Sequence, residues 1–152
     1  MALLREEDAA KLREIFDERL KGDVTLVHYT QIAGKLIVPG AATCPACKDT
    51  RELLQELADT SDHITLELHD FAAEVDQAAK VGVEKIPATL VTSAASDGRV
   101  RYFGVPSGYE FASLVEDVID VGSGTSELAA ETEEALKGLQ KDVHIQVFVT
   151  PT

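Results

Sequence analysis

The chain has two cysteines, and they stand three positions apart in Cys44-Pro45-Ala46-Cys47. Thiols at that spacing lie almost one helical turn apart when a helix begins there. They can close a disulfide and pass it to a partner protein. Only the thiolate attacks, and a thiol at its ordinary pKa of ~8.5 is mostly protonated at neutral pH. A helix N-terminus changes this, because its unpaired N–H groups carry about half a positive charge and stabilise an anion. The spacing therefore predicts Cys44 as the exposed attacking sulfur. Cys47, nearly one turn deeper, is expected to resolve the mixed disulfide. Pro45 suits a first helical turn and gives up no needed N–H. Lys48 is either a further cation for the thiolate or a solvated side chain.

Such a pair needs a strand before it and a helix after it. Residues 24–30 are rich in β-branched residues, as a strand favours. Residues 45–59 carry Leu53, Leu54 and Leu57 on one helical side. Upstream, residues 5–21 read as a helix, with Leu12, Ile15, Phe16 and Leu20 at helical spacing, acidic residues first and a stop at Gly22-Asp23. Downstream, residues 63–69 alternate as a strand, and residues 71–80 give a short helix ending by Gly82. Residues 87–93 and 99–104 read as strands joined around Asp97-Gly98, a hairpin signal. Ser107 and Glu110 form a capping box for a helix carrying Phe111, Leu114, Val115, Val118 and Ile119. Residues 31–43, with two glycines and Pro39, read as a loop. Its Leu36-Ile37-Val38 is a short strand or an apolar flap over the site.

Gly122-Ser123-Gly124 reads as a linker, residues 126–140 as a helix with Leu128, Ala135, Leu136 and Leu139 on one face, and residues 143–149 as a last strand. The alternation predicts an α/β fold, a mixed sheet with helices on both faces.

At 152 residues and 45% hydrophobic content, the chain can bury roughly two-thirds of its unfolded surface. Its net charge of −13 argues against nucleic acid, which needs clustered Lys and Arg, and against an anionic membrane surface. The N-terminus turns acidic at once, and no run approaches the ~20 apolar residues of a membrane span. A cytoplasmic setting is expected, where a Cys-x-x-Cys pair is catalytic or metal-binding more often than structural.

The sequence resembles the thioredoxin-like superfamily. The resemblance rests on the strand, the Cys44-Pro45-Ala46-Cys47 turn and its helix, then Val81-Gly82-Val83-Glu84-Lys85-Ile86-Pro87-Ala88-Thr89, a hairpin, and Gly104-Val105-Pro106-Ser107. More narrowly it is similar to the N-terminal half of the glutaredoxin-like protein disulfide oxidoreductases, which fuse two thioredoxin folds. The stretches 101–111 and 143–152 carry that likeness. The resemblance implies Cys44 as nucleophile, Cys47 as resolving thiol, and Pro87 as a cis-proline facing them. It also implies that Pro45, Ala46, Ile86 and Pro87 meet the substrate. It implies protein disulfide or dithiol substrates, a flavoprotein reductase or a peroxiredoxin as partner, and no bound cofactor. Residues 1–121 would be one thioredoxin-like domain. Residues 122–152 would be the linker, helix and strand that open a second unit. An unpaired apolar strand is a liability, so 143–149 is expected to join the domain's own sheet or pair with another copy as a homodimer.

His28 lies mid-strand, where thioredoxins carry a buried acid beneath the second cysteine. It reads as a satisfied core residue or as a proton carrier for Cys47. Asp70 and Glu74 read as a solvated helix face, and Tyr102, Tyr109 and Phe111 as packing. Two other readings of the chain stand beside the enzyme. One is a non-catalytic interaction module. The other is a dimer sharing four thiolates around a metal, since zinc needs four ligands and the histidines show no metal spacing.

Overall fold

The computed structural model describes residues 3–32, 43–126 and 128–149. Leu36-Ile37-Val38 and Thr150-Pro151-Thr152 lie outside the described residues. The elements are α1 (Glu6–Arg19), β1 (Val24–Thr30), α2 (Pro45–Ala58), β2 (Ile64–Asp70), α3 (Val75–Lys80), β3 (Ala88–Ser93), β4 (Ser96–Phe103), α4 (Tyr109–Ser123) and α5 (Ala130–Lys137). The sheet order is β2-β1-β3-β4. β1 runs parallel to β2 and antiparallel to β3, so the sheet is mixed as expected.

The alternation of β1 divides the core. Val24 and Leu26 point to one face, where they join Leu12 and Phe16 of α1, Leu54 and Leu57 of α2, and Leu114, Val118 and Ile119 of α4. Tyr29 points to the other face and packs with Ala78 of α3, Val83, Ala88 and Leu90. Helices thus cover both faces. Gly122 belongs to this packing rather than to a linker. A Cβ there would collide with Leu20 and Val24, so only glycine lets the end of α4 approach the start of β1. Arg19 grips Glu116 with two nitrogens, at 2.9 and 2.7 Å, and ties α1 to α4.

Several local expectations are corrected. The β3–β4 turn is made by Ala94 and Ala95, with Ser93 opposite Ser96. Asp97 and Gly98 lie inside β4, where the register shifts and Gly98 takes a φ of +76°. Their signal marks a bulge, which needs the same positive φ as a turn. The Ser107 capping box does not form. Gly108, at φ +63°, is the N-cap of α4, and no side chain caps it. Tyr109 is exposed rather than packed. Glu74 is not on a solvated face, because its carboxylate meets His69 Nδ1 at 2.6 Å.

The helix expected over 126–140 forms as α5, but none of its residues is buried. Residues 142–149 carry no strand, and Val143, Ile145, Val147, Phe148 and Val149 are exposed. A strand exists only through its partner's N–H and C=O groups. Among the described residues nothing pairs with this one.

His69 fastens the end of β2. Its two ring nitrogens meet Glu74 at 2.6 Å and Glu67 at 2.8 Å, and the ring stacks on Tyr29. Burial pulls its pKa down, but hydrogen bonds to the two carboxylates more than reverse this and raise it above the ordinary 6.5. Only the imidazolium can donate to both acids. The folded chain therefore binds this proton more tightly than the unfolded one. The stabilisation is complete below pH 6.5 and is lost as pH rises through the folded value.

Two outcomes follow from this packing. The unfolding midpoint should fall as pH rises above 6.5, and His69→Gln should flatten that slope. Leu54→Ala, in the core, should cost ~2–5 kcal/mol in urea unfolding, whereas Leu136→Ala on α5 should stay within about 0.5 kcal/mol of the parent.

Candidate functional site

The site forms at the sheet end where β1 finishes. β1 ends at Thr30, and Gln31 follows it directly. β3 is antiparallel to β1, so its beginning lies at the same end, with Ala88 opposite Tyr29. Pro87 immediately precedes Ala88. The Ile86–Pro87 bond is cis, as the resemblance implied. Pro87 is buried and Ile86 half-buried. The Pro87 carbonyl accepts from Gly104 N–H at 2.9 Å, which anchors this turn to the end of β4.

The cysteines reach the same end through α2. Pro45 is the first residue of α2 and Cys44 its N-cap. The two sulfurs form a disulfide, with Cα atoms 5.4 Å apart. Their environments differ. Cys47 is buried at 3% exposure, while Cys44 is half-buried and Pro45 beside it is exposed. Cys44 therefore presents the more accessible sulfur. Thr50 donates to the Ala46 carbonyl at 2.8 Å and holds the first turn of α2. Lys48 is exposed and sits 3.7 Å from Glu52, one turn along, an ordinary surface pair.

Gln31 touches both cysteines. Its Oε1 accepts from Cys44 N–H at 2.8 Å, and its own peptide N–H donates to Cys47 Sγ at 3.4 Å. Sequence reasoning missed this residue. It opens the 31–43 segment and lies 13 positions before Cys44, so no periodic signal marks it.

His28 shares a β1 face with Val24 and Leu26 and is fully buried. Its Nδ1 lies 3.0 Å from Thr89 Oγ1. Its Nε2 is buried and has no hydrogen-bond partner among the described residues. Burial pulls the imidazole down to about 4, against a backbone hydrogen bond at Ala88 and with help from the Arg51 charge. At neutral pH the ring is uncharged. On β4, burial and Asp117 push the Tyr102 phenol up, and its hydroxyl donates to the Asp117 carboxylate.

Among the described residues no group of three or more His, Cys, Asp or Glu could hold a metal ion. No helix among them is long and apolar enough to cross a membrane.

Known proteins are similar to this chain. The family described as thioredoxin domain matches residues 35–116. An alkyl hydroperoxide reductase protein of Xanthomonas campestris pv. phaseoli is 30% identical over 101 residues, which are 66% of this chain and 17% of that protein. The structure of the alkylhydroperoxide reductase protein AhpF from Enterococcus faecalis superposes with a TM-score of 0.73 at 28% identity. The match covers 91% of this chain and 62% of that one. A protein disulfide oxidoreductase from Aeropyrum pernix gives a TM-score of 0.70 at 25% identity, over 89% and 55% of the two chains. The chain thus spans only part of each relative.

His28 supplies a test of this geometry. Its folded pKa of about 4 lies below the ordinary 6.5, so the unfolded chain takes up the proton first. Stability should fall as pH drops from 6.5 towards 4, opposite in direction to the His69 effect. Carbon-detected NMR of the imidazole should show a midpoint near 4; one at or above 6.5 would contradict the buried, uncharged ring.

Proposed function

The chain belongs to the thioredoxin-domain family, and from that premise we propose that it exchanges the Cys44–Cys47 dithiol and disulfide with protein substrates. The observation that carries the reading is the disulfide at the N-terminus of α2, with one sulfur accessible and the other buried. The relatives are redox proteins by name, which supports thiol–disulfide chemistry.

In the reducing direction, the Cys44 thiolate attacks one sulfur of a substrate disulfide. A mixed disulfide forms and one substrate thiolate leaves. The Cys47 thiolate then attacks the Cys44 sulfur, re-forming the Cys44–Cys47 bond and releasing the second substrate thiolate. The dithiol loses two electrons and two protons, and the substrate gains them. The α2 N-terminus favours the Cys44 thiolate electrostatically. Pro45, Ala46, Ile86 and Pro87 form the proposed substrate contact around it. His28 is the proposed proton carrier for Cys47, through its unpartnered Nε2. A ring that protonates near 4 would hold that proton only in passing.

The substrates in this reading are disulfide-bearing proteins. A flavoprotein reductase or a peroxiredoxin is the proposed redox partner, in keeping with the relatives named alkyl hydroperoxide reductase. Of residues 122–152, those beyond the end of α4 are proposed to begin a second unit. The exposed apolar run Val143, Ile145, Val147, Phe148 and Val149 supports contact with a further sheet, including that of a second copy.

The test is insulin reduction by dithiothreitol, followed by turbidity. The protein should accelerate it, Cys44→Ser should abolish the acceleration, and reduced Cys47→Ser, freed of dithiothreitol, should accumulate a covalent adduct with insulin. Acceleration that survives Cys44→Ser would exclude this mechanism.

A further inference from the structure

Gln31 joins the end of β1 to both cysteines, and its contact to each has a distinct chemical consequence. Cys44 is the N-cap of α2, and its own side chain caps nothing. In a capping box, a side chain from inside the helix accepts the N-cap N–H. Here that acceptor comes from outside the helix, the Gln31 Oε1 at 2.8 Å. The amide orientation is dictated, because a peptide N–H can only donate and so must face the oxygen. The second contact runs from Gln31 N–H to Cys47 Sγ at 3.4 Å. A sulfur accepts weakly as a thiol and more strongly as a thiolate. One residue, fixed to the sheet by the strand it follows, therefore sets the backbone of the outer cysteine and the sulfur of the inner one in a single frame.

We propose that Gln31 is a positioning residue of the thiol–disulfide site, holding Cys44 and Cys47 in the geometry in which the inner sulfur reaches the outer one. This rests on the reading of Cys44 as the attacking sulfur. The step it serves is ring closure. With glutathione as the probe, the Cys47 thiolate attacks the Cys44 sulfur of a Cys44–glutathione mixed disulfide. The bond to glutathione breaks as the Cys44–Cys47 bond forms, and glutathione leaves as thiolate.

The experiment mixes the reduced full chain rapidly with excess oxidised glutathione, quenches with acid, and follows adduct mass. It is read on the alkaline plateau, where both thiols are ionised and an added charge no longer sets the thiolate fraction. Lys48, Arg51, Glu52 and His28 are unchanged throughout. Gln31→Met keeps the bulk and loses the acceptor. It should slow closure about three- to tenfold, the worth of one hydrogen bond, while the chain stays folded. Gln31→Glu keeps an acceptor for Cys44 N–H and should close within about twofold of the parent. Equal closure in parent and Gln31→Met would overturn the role of Gln31. So would equal slowing in Met and Glu, which would mark a loss of shape rather than of the oxygen. The adduct itself is checked separately in Cys47→Ser. Its absence on Cys44 would overturn the functional reading and this inference together, whereas its presence with unchanged closure in Gln31→Met would overturn the inference alone.

Discussion

Tyr29 lies opposite Ala88, and the antiparallel register of β1 and β3 decides where the candidate site sits. Because of that register, the end of one strand and the start of the other meet at one end of the sheet. The chain leaving β1 carries Gln31, and the chain approaching β3 carries the cis bond to Pro87. α2 packs into the core with β1 and β2 through Leu54, Leu57 and Ala58, which brings its N-cap to the same end. Slipping the register by one residue would exchange the faces of β1, exposing Leu26 and burying Thr25. The site is thus held by the sheet's apolar pattern as much as by any contact among its own residues.

The two histidines on β1 and β2 show how the same sheet sets opposite electrostatics. His28 is enclosed by the fold and hydrogen-bonded to no acid, and it loses its proton affinity. His69 meets two carboxylates at a partly open margin and gains it. Both effects follow from position in the strand and not from residue type. The uncharged state lets the polar His28 ring stay fully buried at modest cost, since one nitrogen still meets Thr89.

Much of this was legible in the sequence. β1 occupies the expected residues 24–30, and the helical spacing of Leu12 and Phe16, of Leu53, Leu54 and Leu57, and of Leu114, Val115, Val118 and Ile119 all became buried faces. The spacing of the cysteine pair foretold a bridge between Cys44 and Cys47 at the start of α2. What was illegible depends on tertiary partners. Asp97-Gly98 looked like a turn because bulges and turns ask for the same backbone freedom. Residues 143–149 looked like a strand because alternation reports a preference, and pairing requires another edge. Gln31 and Glu74 act across gaps in sequence, on Cys44 and on His69, that no local pattern records.

The proposed chemistry depends on the two sulfurs being unequal, one offered to solvent and one shielded behind it. The direct measurement is to reduce the protein, treat it at neutral pH with less than one equivalent of iodoacetamide, and locate the label by peptide mass. The label should fall on Cys44 and leave Cys47 unmodified. Equal labelling, or a preference for Cys47, would contradict that inequality and the exchange mechanism built on it.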